Sequence, residues 1–138
     1  MARYIDNIIE APGALVLGAG MAGLFTALKL APFPALVLAG ARPGTSGSSA
    51  WAQGGIAAAM GAGDSWQSHA ADTMTAGAGT CDPHIVELVT REAPDRINDL
   101  LALGAPFDRT PDGTLALGRE AAHSAKRIVH VKGDRAGA

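Results

Sequence analysis

The sequence predicts an α/β fold: the N-terminal part of a doubly wound parallel sheet, incomplete, leading into a mostly helical segment. A short apolar run at 14–17 leads directly into a turn at 18–23 that fits G-x-G-x-x-G, and a helical run follows to about residue 31. A second apolar run at 35–38 comes after the Pro-Phe-Pro at 32–34 that ends this helix. Strand, glycine turn, helix and strand in this order are typical of a Rossmann-like unit, and uniformly apolar strands are typical of a parallel sheet covered on both faces.

Each glycine of the turn has a physical role. Gly18 permits the tight turn, Gly20 lets the backbone approach a pyrophosphate, and Gly23 lets the helix pack closely on the strand. Free N–H groups at the positive end of the helix favour phosphate. The turn therefore predicts a dinucleotide phosphate site; in a chain with 18 glycines, a glycine-rich turn without a ligand is the alternative.

The second strand lacks the acid that usually follows it, about 20 residues past the glycines, to bind a ribose hydroxyl. Ala39, Gly40, Ala41 and Arg42 stand there instead. This counts against an ordinary NAD site. Arg42 would suit the 2′-phosphate of NADP, but an exposed loop arginine is the simpler interpretation.

A loop rich in glycine and serine at 43–49 leads into residues 50–59. The hydroxyls of Ser48 and Ser49, with the amides around Gly54 and Gly55, suit a second contact with phosphate or with a flat ring. A plain connection into a strand or helix of small residues fits the composition equally well.

Helical spacing dominates the middle of the chain. Residues 64–77 form one predicted helix, on which His69 and Asp72 share a face; we expect that face to be solvated or capped rather than part of a metal site. Asp82 caps a second helix, and Pro94 interrupts its apolar stripe, so that two helices or a kink are expected.

After Gly104 ends the second helix, a turn at 111–113 predicts a short hairpin. A polar cluster at 119–124 contains Arg119, Glu120 and His123. It could form part of an active site, but a surface ion pair between Arg119 and Glu120 is the simpler interpretation. No stretch between 56 and 138 predicts a third buried strand that returns to the first sheet.

Composition narrows the class of protein. A chain of 138 residues with 48% hydrophobic and 17% charged residues predicts one globular domain, and a net charge of −2 gives no reason to expect a nucleic acid or membrane partner. Cys81, without partners at zinc spacing, suits a small buried residue in a reducing compartment. Charges at Arg3, Asp6 and Glu10 interrupt any signal-peptide core, so a cytoplasmic protein is expected.

Four segments together resemble the N-terminal part of the L-aspartate oxidases, within the flavoprotein family of succinate dehydrogenase and fumarate reductase. They are residues 18–23, 48–58, 72–82 and 119–124, and the resemblance runs from 13 to 137. It implies a partial FAD-binding domain over 1–138, with a dinucleotide-binding part and flavin loop at 13–60 and a helical segment with the start of the substrate region at 61–138.

The resemblance implies FAD as the dinucleotide. The cofactor-binding positions that it carries over are Gly18, Ala19, Gly20, Met21, Ala22, Gly23, Ala41, Ser48, Ser49, Ala50, Trp51, Ala52, Gln53, Gly54 and Gly55. Ser48 stands where membrane-bound relatives carry a flavin-linked histidine, so that non-covalent FAD is implied. Glu120 stands where fumarate reductases carry an apolar residue, and is implied to bind the ammonium of an amino-dicarboxylate substrate.

The implied activity is FAD-dependent oxidation of L-aspartate to iminoaspartate, in the quinolinate branch of NAD biosynthesis, with oxygen or fumarate as the acceptor. The catalytic residues of the family fall beyond residue 138, so none is assigned here, and the fragment is expected to be inactive alone. The last residues, 133–137, also depart from the usual Gly-Asp-Ala-Thr-Gly of the family. The alternatives are a soluble flavoprotein of the fumarate reductase or succinate dehydrogenase type, and a non-catalytic remnant.

Overall fold

The structure, a computed structural model, describes residues 10–45 and 48–137 and divides into two compact units. The first unit comprises residues 1–52 with 137–138, and the second comprises 53–136. Two of the three N-terminal charges, Arg3 and Asp6, lie outside the described ranges, as do residues 46 and 47 of the predicted loop at 43–49. Within those ranges, no helix combines the length and apolar character that crossing a membrane requires.

The first unit is built around a β-α-β arrangement. Strand β1 (Ala14–Leu17) leads into helix α1 (Met21–Leu30), strand β2 (Ala35–Leu38) and a single helical turn, α2 (Ser48–Trp51). The two strands pair in parallel, with Ala14 opposite Ala35 and Leu17 opposite Leu38. Both predicted strands and the predicted helix are thus present, and the sheet of this unit contains only β1 and β2 among the described residues.

One face of this two-stranded sheet is open among the described residues, which show helical cover on the other face only. Helix α1 contacts both strands. The leucines that alternate to the other side are exposed: Leu15 by 60%, Leu17 by 73% and Leu38 by 59%. Successive side chains of a strand point to opposite faces, so a single helix covers only one of them.

The second unit combines two helices with an antiparallel sheet. Its elements are β3 (Ile56–Ala57), α3 (Trp66–Gly77), α4 (Pro83–Ala102), β4 (Leu117–Gly118) and β5 (Ile128–Val129). The strand order is β3-β5-β4, with both pairings antiparallel. The central strand β5 was not predicted, so this part of the chain is less helical than the sequence suggested.

Both long helices have side-chain caps. The N–H of Ser68 donates to Ser65 Oγ at 3.1 Å, and the N–H of His84 donates to Asp82 Oδ1 at 2.9 Å, which confirms the predicted cap at Asp82. Helix α4 runs unbroken past Pro94, so the two-helix alternative is wrong. Packing of α4 against α3 and burial of its side chains offset the hydrogen bond lost at proline.

The hydrophobic core of the described residues lies within the second unit. Its buried members are Ala58, Ile97, Phe107, Val129 and Val131. They come from α4, β5 and the segments beside them. The predicted hairpin is confirmed by an antiparallel bridge between Arg109 and Leu115, and Gly104 ends α4 with a φ of +90°. This core supports the segments that carry Gly54 and Glu120.

Candidate FAD site

The glycine turn in the first unit has the geometry that its spacing predicts. Gly18 has a φ of +103°, which an L side chain rarely adopts. A Cβ on Gly23 would overlap the carbonyl oxygen of Gly18 and lie 3.3 Å from Val16 Cγ1. Helix α1 therefore lies directly against the turn, and its position depends on the absence of a side chain at Gly23.

The N-terminus of α1 is capped from a distant loop. Gly20, the N-cap residue, supplies no side-chain hydrogen bond of its own. The N–H of Met21 donates instead to Ser49 Oγ at 3.0 Å, and the same oxygen would lie 3.2 Å from a Cβ on Gly20. The structure thus brings together Gly20, Met21 and Ser49, three of the residues predicted to bind the cofactor.

A cleft of about 570 Å³ opens at the carboxyl ends of β1 and β2, where open α/β sheets bind their ligands. It is lined by Gly18, Ala19, Gly20, Ala39, Gly40, Ala41, Arg42, Ser48 and Ser49. Backbone amides and two hydroxyls, with an arginine and no carboxylate among the lining residues, suit a pyrophosphate. The predicted residues Ala50, Trp51 and Ala52 do not line it, and Trp51 is 80% exposed.

In the second unit, two predicted site residues that are distant in sequence lie side by side. Gly54 has a φ of +73°, and Glu120 Oε1 lies 3.7 Å from the position that a Cβ on Gly54 would occupy. The N–H of Gly54 donates to a carboxylate oxygen of Asp134. Sequence reasoning missed Asp134, although the Gly-Asp pair it shares with the usual motif was a signal that could have found it.

The segment that carries Glu120 is a hydrogen-bonded turn. The N–H of His123 donates to the carbonyl of Glu120 at 3.3 Å, and Arg119 Nε donates to the carbonyl of His123 at 2.9 Å. The predicted surface ion pair between Arg119 and Glu120 is wrong, because the described residues show no such pair. The arginine closes the turn and leaves the exposed Glu120 carboxylate available to a ligand.

A buried arginine, Arg127, lies next to this turn. Arg127 is fully buried, and its guanidinium donates to both carboxylate oxygens of Asp64, from Nε at 2.9 Å and from Nη2 at 2.8 Å. Its Nη1 donates to Asp72 Oδ2 at 2.8 Å. A bidentate arginine–carboxylate pair is among the stronger polar interactions, and here it is shielded from water.

Asp72, on α3, joins the buried Arg127 to the turn that carries Glu120. Its Oδ2 accepts hydrogen bonds from the N–H and the hydroxyl of Ser124, both at 2.7 Å. The backbone hydrogen bond from Ser124, with further help from its hydroxyl and from Arg127, lowers the pKa of Asp72. The prediction of a solvated face at His69 and Asp72 is therefore wrong, since His69 is 7% exposed and Asp72 is ion-paired.

His69 gives the second unit a pH dependence. Burial, then Arg127 and His123, lower its pKa from 6.5, against weaker opposing effects of Asp64 and Asp72. Because the folded state favours neutral imidazole, its contribution to the free energy of unfolding is complete above pH 6.5 and is lost as pH falls below that value.

We expect His69→Phe to flatten the decline in the free energy of unfolding as the pH falls below 6.5. Urea unfolding at a series of pH values measures it. His84→Gln, at an exposed histidine, is the control and should leave the decline unchanged. An identical decline in wild type and His69→Phe would contradict the assignment.

Comparison with known proteins identifies the family. A family model described as an FAD binding domain matches residues 13–138. The chain belongs to this family. FAD is therefore the cofactor, as predicted. The backbone amides and hydroxyls that line the cleft beside the glycine turn suit a pyrophosphate.

Two kinds of relative resemble this FAD-binding domain. L-aspartate oxidase of Caulobacter vibrioides is 55% identical over 129 residues, which are 91% of this chain and 25% of the relative. Mycobacterium smegmatis Sdh1, solved in complex with UQ1, is 37% identical with a TM-score of 0.83 over 91% of this chain and 22% of that one. A quinol-fumarate reductase solved with menaquinol molecules is 26% identical with a TM-score of 0.81, again over 91% of this chain and 22% of that one.

These similarities confirm the predicted resemblance, and the fold is that of the FAD-binding domain in succinate dehydrogenase and fumarate reductase flavoproteins. The curated relatives are L-aspartate oxidases, FAD-dependent oxidoreductases. The chain spans about a quarter of the length of those relatives.

Proposed function

We propose that the chain is the FAD-binding portion of a flavoenzyme that oxidises L-aspartate to iminoaspartate, in the quinolinate branch of NAD biosynthesis. The observation that carries the proposal is the position of the exposed Glu120 carboxylate beside Gly54 of the flavin loop. A carboxylate there suits a substrate with an ammonium group, which L-aspartate has and succinate lacks.

The chain's own residues would hold FAD in two places. In the first unit, the turn at 18–23, Ala41 and residues 48–52 supply amides and hydroxyls for the adenosine and pyrophosphate. In the second unit, Gln53, Gly54 and Gly55 supply backbone for the flavin. FAD supplies the electron acceptor for the oxidation, and with serine at position 48 it is held without a covalent bond.

The same proposal covers the organisation of the domain. Residues 13–60 form the dinucleotide-binding part and flavin loop, and 61–138 form the helical segment with the start of the substrate region. The parallel pair of β1 and β2 with its open leucine face supports a larger, doubly wound Rossmann-like sheet. Oxygen or fumarate would take the electrons from the reduced flavin, and the cytoplasm would be the compartment. The proposal includes no nucleic acid or membrane partner, and no catalytic residue among those described.

Substrate choice is tested by placing residues 13–137 of this chain into the Caulobacter vibrioides relative in place of the matching segment. We expect the hybrid to oxidise L-aspartate, and Glu120→Gln to raise the KM for L-aspartate roughly tenfold to 100-fold through loss of a charged hydrogen bond. Glu87→Gln, an exposed carboxylate of α4, is the matched control and should leave KM unchanged.

Two results would contradict the proposal. One is a Glu120→Gln hybrid that keeps the KM of the parent for L-aspartate. The other is a hybrid that oxidises succinate and not L-aspartate, which would favour a soluble fumarate reductase, the candidate that the structural similarity to quinol-fumarate reductase supports.

A further inference from the structure

His130 fills the space between two glycines of the second unit. A Cβ on Gly55 would lie 3.0 Å from His130 Nδ1. A Cβ on Gly118 would overlap His130 Nε2 and lie 3.1 Å from Cδ2. A side chain on Gly118 would therefore displace the imidazole. A Cβ on Gly55 would first overlap Val129 O and the Ile128 side chain, and would press closely on the ring as well. The imidazole thus lies against both glycines.

Both glycines belong to segments of the candidate site. Gly55 ends the flavin loop, which we define as residues 53–55, and Gly118 ends β4 and leads through Arg119 to Glu120. The ring of His130 thus lies where these two segments approach each other. Both segments adjoin strands that pair with β5, and the ring adds a side-chain contact to each segment.

Hydrogen bonds fix the backbone of His130 and the flavin loop. The N–H of Asp108 donates to the carbonyl of His130 at 2.8 Å, and His130 directly follows β5, the central strand. The flavin loop is held at its middle residue, where the N–H of Gly54 donates a hydrogen bond to the Asp134 carboxylate. The backbone of His130 therefore continues the central strand β5, while its ring contacts Gly55 of the loop that would bind the flavin.

No hydrogen bond at Nδ1 holds the ring among the residues that the structure describes. His130 Nδ1 is buried and has no partner there. The contacts that the described residues do show for the ring are its close approaches to the backbone at Gly118 and Gly55.

We propose that His130 is a positioning residue: its ring sets the spacing between the flavin loop and the segment from Gly118 to Glu120, and so places the Glu120 carboxylate beside the flavin. This inference rests on the proposed function, in which residues 53–55 hold the flavin. The proposal assigns the ring no role in the folding of the whole unit. It assigns the ring no role in binding the adenosine end of FAD.

A double-mutant cycle tests the spacing itself. Gly118→Ala should lower the Tm by roughly 5–10 °C, because its methyl group meets the imidazole. In the presence of His130→Ala the same change should cost less than about 2 °C, since the methyl group then enters vacated space. In ¹⁵N spectra, His130→Ala should shift the amide signals of Gly54 and Glu120 and leave those of Gly18 and Gly20 in place.

Ligand binding tests the positioning role. We expect His130→Ala to raise the Kd for FAD roughly tenfold and to change the Kd for ADP, which has no flavin, by less than about twofold. His130→Gln, of similar length, should restore the Kd for FAD to within about threefold of wild type. His84→Ala, at an exposed histidine, is the control.

Each outcome decides the proposal. Equal losses for FAD and ADP would show a general folding role and overturn it, as would an unchanged Kd for FAD. If the wild-type chain binds neither ligand, the proposed function fails for this chain on its own. The melting cycle and the amide shifts then still decide: coupling between Gly118 and His130 with shifted Gly54 and Glu120 signals supports the spacing role, and their absence overturns it.

Discussion

Replacing Arg127 with methionine is expected to lower the free energy of unfolding by about 3–5 kcal/mol, a large part of the stability of a small domain. The guanidinium is fully buried and pairs with Asp64, whose side chain is 3% exposed. Removal of the cation leaves a carboxylate in a site without water and without its counter-charge. The measurement is urea unfolding at neutral pH followed by circular dichroism.

Further variants separate charge from packing in this group. Asp64→Asn and Asp72→Asn added to Arg127→Met should recover part of the loss, because no unpaired charge is then buried. Arg91→Met, at an exposed arginine paired with Glu87, should change the free energy of unfolding by less than about 0.5 kcal/mol. An Arg127→Met protein within about 1 kcal/mol of wild type would show that the buried pair contributes little.

Gly23→Ala is expected to raise the Kd for FAD roughly 100-fold, equivalent to about 2.7 kcal/mol. The added methyl group meets the carbonyl oxygen of Gly18, which belongs to the turn and has little freedom to move. Helix α1 must then shift away from the turn that we propose binds the pyrophosphate. The measurement is equilibrium FAD titration followed by quenching of flavin fluorescence.

A control in the same helix makes this result interpretable. Thr26→Ala, at an exposed position of α1, should leave the Kd for FAD unchanged. Circular dichroism should show that the Gly23→Ala protein keeps its helices. Wild-type affinity in Gly23→Ala would mean that close packing of α1 on the turn is not needed for the cofactor.

The parts of the fold that the sequence predicted are those with a local signal. The turn at 18–23, both parallel strands and the cap at Asp82 each depend on residues within a few positions of one another. FAD and the family followed from four short segments whose order is readable in the sequence.

The parts that sequence reasoning missed depend on contacts between distant residues. Strands of two residues, such as β5, are too short for periodicity to reveal. The partners of Arg127 lie 63 and 55 positions away, so the local pattern around Arg127 is merely polar. His69 looked solvated for the same reason, because its burial comes from the tertiary packing of α3.

Site geometry was predicted only in part. The sequence named Gly54 and Glu120 as ligand-binding residues, but not their proximity or the hydrogen bond from Gly54 to Asp134. The size match of His130 to Gly55 and Gly118 is equally invisible without coordinates, because it exists only between backbone segments brought together by the antiparallel sheet.

Titration of the wild-type chain with FAD shows whether these residues hold the cofactor. We predict saturable binding of one FAD, competition by ADP, and complete release of the flavin on acid denaturation, since Ser48 offers no imidazole for a covalent bond. Absence of saturable binding by a folded chain would contradict the claim that these residues suffice to hold the cofactor, and would favour a non-catalytic remnant.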